Sequence, residues 1–166
     1  DPILLASPQG RASLIVDEGQ ADLRLHPGTA LELDQMALNA GQWTLDTPDG
    51  DLFAAKDFDL SMTQLEDNAT AYRFALTATG FKPGALPRAA FRVPSDWPVE
   101  FDRLGMEITA EFDRPWDRST LEVARPQPRA IDLTLLEAAW GDLRLKAAGK
   151  VTVDADGVPT GTLSLQ

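Results

Sequence analysis

The chain has 166 residues and a mass of 18.0 kDa, enough for one packed domain and short for two. Its 15 Lys and Arg against 26 Asp and Glu give a formal charge of -11, a field that repels phosphate backbones and anionic membrane surfaces, so nucleic acid is not expected as a partner. The lack of cysteine excludes disulfides, thiolate metal sites and cysteine nucleophiles, while a hydrophobic content of 43% provides for a core.

The opening residues DPILLASPQG have no basic segment followed by an apolar one and do not read as a signal peptide. No apolar run reaches the roughly 18 residues needed to cross a bilayer. Membrane association is therefore expected only through segments outside this chain. From there the dominant period is two, the spacing that sends alternate side chains to opposite faces of a sheet. Ala21, Leu23 and Leu25 alternate with Asp22, Arg24 and His26 until Pro27-Gly28 ends the run, which predicts a strand and a turn. Trp43 and Leu45 share a face before Pro48, Asp49 and Gly50 supply turn chemistry, and Phe58, Leu60 and Met62 then alternate with Asp57, Asp59 and Ser61, which predicts a hairpin.

Tyr72, Phe74, Leu76 and Ala78 set the next strand. The Gly- and Pro-rich stretch that follows interrupts the sheet, with room for a short helix or irregular connection only over residues 86–93. Leu104, Met106, Ile108, Ala110 and Phe112 form the cleanest alternation in the chain, one side buried and the other wet. Prolines at 115, 126 and 128 then predict a loop or an edge strand. Residues 130–141 fit either period, and the flanking strands decide for a strand with Ile131, Leu133 and Leu135 on one side. Leu143, Leu145, Ala147, Val151 and Val153 continue the pattern, Gly149 allows a bend, Asp156-Gly157 offers a two-residue turn, and residues 162–165 return. The fold class expected is all-β: about ten to twelve mainly antiparallel strands in a curved sheet or sandwich, with at most one or two short helices. Neighbours in sequence are expected to pair in space.

Catalytic chemistry finds little to build on. His26 is the single histidine and sits on the polar parity beside a turn, where an exposed turn residue is the simple account. No G-x-S-x-G elbow, phosphate loop or dinucleotide fingerprint is present, so no enzymatic activity and no cofactor are expected. Asp154 and Asp156 with Gly157 echo the start of a calcium loop without its remaining ligands, and a hairpin turn explains the same residues and the similar Thr47–Asp51. No metal site is expected. Asn68-Ala69-Thr70 matches a glycosylation acceptor, a short pattern frequent by chance. Trp43, Trp97, Trp116 and Trp140 could anchor a ligand or partner and are read as core or cover residues.

Arg114-Pro115-Trp116-Asp117-Arg118, the Arg125-Pro126-Gln127-Pro128 bend, Trp140-Gly141 leading into Leu143 and Leu145, and Asp154 with Gly157 and Gly161 together resemble a family of alphaproteobacterial envelope proteins, the domain of unknown function number 2125. The resemblance covers the last third well and the earlier hairpins by cadence. It implies a periplasmic or cell-envelope location, an interior fragment of a longer exported or membrane-anchored protein, and no catalytic residues. More remotely, the apolar inner parity is similar to AsmA-like envelope proteins, in which a curved sheet carries lipid in a groove.

Two functions stay open. In a lipid or acyl-chain binding module, Leu133, Leu135, Leu143, Leu145, Val151, Val153, Leu163 and Leu165 would face the ligand. In a structural or protein-interaction domain of the envelope, the same residues would close into a filled core, the arrangement preferred for most of them. The alternation demanded by both is the same. The oligomeric state is not legible.

Overall fold

The computed structural model describes residues 3–7, 10–122, 125–154 and 157–166. Twelve strands follow in order: β1 (Ile3–Ser7), β2 (Gly10–Val16), β3 (Gln20–Leu25), β4 (Leu33–Ala40), β5 (Trp43–Thr47), β6 (Gly50–Ala55), β7 (Asp57–Leu65), β8 (Asn68–Pro83), β9 (Phe101–Phe112), β10 (Pro128–Trp140), β11 (Leu143–Val153) and β12 (Pro159–Leu165). Helix α1 (Ala85–Ala90) lies between β8 and β9, and a single turn, α2 (Ser119–Glu122), between β9 and β10. The expected all-β class holds, and every strand pairing is antiparallel.

The registers show that several of these strands are halves of longer ones. Val16 faces Trp43 and Leu23 faces Met36 in one unbroken register, so β2 with β3 and β4 with β5 make a single long hairpin. Phe53 faces Pro83 and Met62 faces Phe74 in another, so β6 with β7 runs as one strand along β8. Counted as these long strands, the described chain is one meander in which neighbours along the sequence pair, as expected.

What divides the long strands is a crease. It passes through residues 17–19, Gly41, Lys56 and Gly80, where the ladder stays closed by Asp17 N–H to Gln42 O (2.8 Å), Gly41 N–H to Asp17 O (3.1 Å) and Lys56 N–H to Thr79 O (3.0 Å). Glu18 and Gly80 hold left-handed conformations there, at φ 55° and 57°. Each strand crossing the crease shifts its inward parity by one residue: Leu38 and Ala40 point inward before it and Trp43 and Leu45 after, Ala78 before and Phe81 and Pro83 after. The sheet thus folds over itself without putting polar side chains inside. Packing confirms the fold-over, for the Trp43 ring meets Phe58 edge-on at 5.8 Å.

Few side chains are buried among the described residues. Apart from alanines they are Leu33, Met62 and Tyr72, and this cluster packs with Leu25, Met36, Phe74, Phe112 and Trp116 at the end of the sheet away from the crease. The connection from β9 to β10, read from its prolines as a loop or edge strand, is a loop with the α2 turn that lies across this end. Leu33 N–H donates to Trp116 O (2.7 Å), Arg118 N–H to Ala30 O (2.9 Å) and Trp116 N–H to the Tyr72 hydroxyl (3.0 Å). Asp117 caps the α2 turn, accepting from Ser119 N–H (2.8 Å) and the Ser119 hydroxyl (2.6 Å).

Candidate functional site

Register places an apolar lining on one side of the sheet. One row runs Leu23, Met36, Met62, Phe74, Ile108, Leu133, Gly149, Leu163, from β3 across to β12. The next runs Ala21, Leu38, Leu60, Leu76, Met106, Leu136, Ala147, Leu165. The opposite face carries rows such as Gln35, Thr63, Arg73, Thr109, Asp132, Lys150, Thr162. Ion pairs lie on that outer face, Lys150 with Asp132 at 3.0 Å and Lys146 with Glu137 at 2.7 Å. Such a division makes one side oily and the other solvated, as the alternation in the sequence implied.

Of the eight residues proposed from sequence as an apolar face, Leu133, Leu143, Leu145, Val151, Val153, Leu163 and Leu165 share the inner side. Leu135 does not. β10 carries one extra residue between Leu133 and Leu136 relative to both neighbours, so Leu135 pairs with Glu107 in an outer row and Leu136 takes the inner position. A bulge of this kind reverses parity, which strict alternation could not anticipate. Nor is the β11–β12 region a filled core: Leu143, Leu163 and Leu165 are 43%, 61% and 63% exposed.

The most concave apolar part of this face lies elsewhere, under the fold-over, and is open on one side. A cavity of about 470 Å³ is bounded by Ile3, Leu14, Val16 and Trp43 on one side of the crease and Ala21, Leu38, Ala40 and Phe58 on the other. Its polar neighbours turn away: Gln20 donates to Asp22 (2.9 Å) and Asn39 to Asp59. The Trp43 indole N–H is buried without a hydrogen-bond partner among the described residues. Sequence reasoning put Trp43 and Phe58 on strand faces but could not bring them together, because the crease that does so is a backbone event. Its signal is the parity change between Phe53 and Phe58, across Lys56-Asp57.

Aromatic contacts continue beside the crease: Phe53 stacks on Phe81 (5.6 Å), Phe81 meets Phe101 (5.9 Å), Phe101 stacks on Trp140 (4.3 Å) and Trp140 meets Trp97 edge-on (5.0 Å). Trp140 is anchored by its N–H to Pro98 O (2.8 Å). The tryptophans are therefore lining and cover, consistent with their sequence reading.

The other motifs resolve into turns. Asn68 Oδ1 accepts from Thr70 N–H (3.1 Å) and the Thr70 hydroxyl (2.8 Å) in the β7–β8 hairpin, and Thr47 donates to Gly50 O (3.0 Å) in the β5–β6 turn. Asp154 Oδ1 accepts from Val158 N–H (2.9 Å); Asp156 lies outside the described residues. Exposed His26 has Nε2 at 2.7 Å from Gln64 Oε1 and 3.9 Å from an Asp34 carboxylate oxygen. Gln64 in turn donates to Glu32 (2.5 Å) and Ala69 O (2.7 Å). This polar cluster ties the end of the sheet together. Among the described residues no three acidic or histidine side chains group as ligands for a metal ion, and no helix is long and apolar enough to cross a membrane.

Fold and lining together define an open, creased antiparallel meander with a hydrocarbon-lined inner face. The chain belongs to the family described as "uncharacterized protein conserved in bacteria" (DUF2125), whose model matches residues 1–166. The match extends over the whole chain, beyond the last third on which the sequence resemblance chiefly rested. No curated protein and no solved structure matches the chain, so the likeness to AsmA-like proteins gains nothing from these comparisons.

Proposed function

We propose that this chain binds the hydrocarbon part of a lipid along its inner face, with the cavity under the crease as the closed end of the site. The observation that carries the reading is the composition of that cavity. A peptide lying there would bury N–H and C=O groups with nothing to bond them, at a cost of several kcal/mol per group, whereas an acyl chain brings no such groups. A volume of about 470 Å³ falls in the ordinary range of small-molecule sites, about 300–1,000 Å³. Each methylene moved from water into it contributes about 0.8 kcal/mol.

The extent of exposed surface supports the same reading. The accessible area is 11167 Å², against roughly 8,000 Å² for a compact monomer of 18.0 kDa. A protein that leaves an apolar sheet face open to this degree gains from a ligand that covers it. On this reading the chain is a carrier or lipid-facing scaffold rather than a catalyst, and a bacterial cell envelope is where such a ligand would be met.

Native mass spectrometry of the purified protein, followed by lipid extraction, tests the proposal directly; co-purified acyl species are expected. Titration with a brominated fatty acid supplies the site. Bromine quenches tryptophan fluorescence on contact, so part of the emission should fall, and Trp43→Phe should remove that part. A clean apo mass together with quenching that is the same in Trp43→Phe would end the reading.

A further inference from the structure

We propose that the connection from β8 to β9, helix α1 with residues 91–100, is a surface that seats on a lipid bilayer. Phe91, at 81%, is the most exposed large apolar side chain among the described residues, and Val99 (54%) and Trp97 (40%) follow it in the same connection. Helix α1 buries none of its own residues. Single exposed apolar side chains are ordinary on a protein surface. Three in one short connection, two of them aromatic, make a patch that gains from being covered.

The patch is held in shape. Arg88 reaches across the connection and donates from Nη1 to Pro98 O (3.0 Å) and from Nη2 to Pro94 O (3.2 Å). Trp97 packs edge-on against Trp140 at 5.0 Å, and the Trp140 N–H donates to the same Pro98 O (2.8 Å). Helix α1 closes with a pair of bonds, Val93 N–H to Arg88 O (2.9 Å) and Arg92 N–H to Ala89 O (3.1 Å), with Arg92 left-handed at φ 52°. Glycine is the usual residue at that position of such a closure. Arginine there costs backbone strain and puts an exposed basic side chain next in the chain to Phe91.

Two properties favour a bilayer over a protein as the cover. The first is the backbone. Phe91, Arg92, Val93 and Trp97 donate their N–H groups within the connection, Pro87, Pro94 and Pro98 have none to donate, and the Pro94 and Pro98 carbonyls accept from Arg88. A segment entering the apolar margin of a bilayer must satisfy its backbone internally, because lipid tails offer no partners, whereas a protein interface supplies hydrogen bonds of its own. The second is charge. Residues 68–95 form the longest run in the chain without an acidic residue and include Arg73, Lys82, Arg88 and Arg92, in a protein of net charge -11; Asp96 is the single acid between them and Val99. On adjoining elements, Asp51 lies beside Gly84, Asp142 follows Gly141 near Pro98, and Glu100 is held by Lys56 at 2.8 Å. This connection is therefore the part of the chain that a headgroup layer repels least, and tryptophan with arginine suits that layer.

Flotation with vesicles is the test, using phosphatidylcholine alone and phosphatidylcholine with a minor share of phosphatidylglycerol. The wild-type chain should rise with both. Phe91→Ser should weaken binding to both about tenfold, the effect of withdrawing one large apolar side chain. Arg92→Gly relieves the left-handed strain, so its thermal stability should equal or exceed that of the wild type, while its binding to the vesicles with phosphatidylglycerol should weaken about fivefold. Circular dichroism identifies any variant that has not folded, and either one suffices. Neither residue lines the cavity under the crease, so quenching by a brominated fatty acid should be unchanged in both, which separates this proposal from the acyl-binding reading. A wild-type chain that stays in the soluble fraction with both vesicle types, leaving the patch to a protein, or folded Phe91→Ser and Arg92→Gly that float as the wild type does, would overturn the proposal.

Discussion

Replacing Tyr72 by Phe removes one oxygen from the best-buried large side chain among the described residues and leaves everything else about it unchanged. The residue is 0% exposed, and its ring, packed edge-on against Phe112 at 6.0 Å, stays in place. Its hydroxyl accepts from Trp116 N–H at 3.0 Å and from Gln64 Nε2 at 3.2 Å. Gln64 keeps its bonds to Glu32 and Ala69 O in the variant, so it adds little. The Trp116 N–H, part-buried in the β9–β10 cover, loses its acceptor, and leaving such a donor unsatisfied costs about 1–3 kcal/mol. For a chain of this length each kcal/mol lowers Tm by about 2–4 °C, so a loss near the middle of that range is a drop of about 4–8 °C. Calorimetry gives the total. Amide hydrogen exchange gives the location: Trp116 and Leu33, whose N–H donates to Trp116 O at 2.7 Å, should exchange faster while the β8–β9 ladder stays protected. An unchanged Tm with unchanged exchange at both amides would show that apolar contact alone holds the cover, and would refute the argument.

The same hydroxyl predicts an alkaline limit. Burial pushes the Tyr72 pKa above its ordinary 10.0, so the unfolded chain loses that proton first; stability should be intact below pH 10 and fall as pH rises through the folded value, with Tyr72→Phe showing a shallower fall in the urea midpoint. At the acid end, the Gln127 N–H holds the Asp113 carboxyl below its usual range, and the Ser119 hydroxyl does the same for Asp117. Their contribution should be complete above the ordinary carboxylate range and disappear as pH falls through the lowered values, read as faster exchange at Trp116 before global unfolding. Gly80→Ala, at φ 57°, should destabilise by about 1–2 kcal/mol in urea unfolding, the strain of a left-handed L-residue. Leu38→Asp, which sets a carboxylate among Val16, Trp43 and Phe58, should abolish quenching by a brominated acyl chain, whereas Leu135→Ser on the outer face should leave it unchanged.

Much of the meander was legible because its hairpins are announced locally. Pro48-Asp49-Gly50 turns one, Asp154 with Gly157 another, and the Leu104 to Phe112 alternation gave β9 almost to its ends. Stretches without clean alternation gave less: Leu33, Met36 and Leu38 of β4 do not keep a strict period, because Leu25 and Leu33 meet across a register shift at that end. The face of Leu135 was lost for a related reason, since one extra residue in β10 moves every later side chain to the other side. The cavity was the least legible feature. It needs four crossing strands to change parity in one row, and its residue-type signal is confined to Gly19, Gly41 and Gly80, with none at Lys56.

That row of parity changes also sets the direction in which a ligand can lie. A groove between two sheets of a sandwich runs along the strands and is limited by strand length; a crease runs across them and is limited by strand number. From Leu38 on β4 to Leu165 on β12 the inner row takes six steps between hydrogen-bonded strands, about 29 Å at roughly 4.8 Å per step. The cavity closes this path at the β4 end with Leu14, Val16 and Trp43, and nothing described closes it at β12, where Leu165 is exposed. On the proposed reading, a hydrocarbon seated under the crease would therefore point along the row toward β12. Acyl binding at Leu38 and the exposed leucines of β12 would then share one continuous surface: Leu163→Lys should weaken the hold on acyl chains long enough to reach β12 and leave the hold on short ones as it was. An unchanged hold at every chain length would show that the cavity and β12 are separate features.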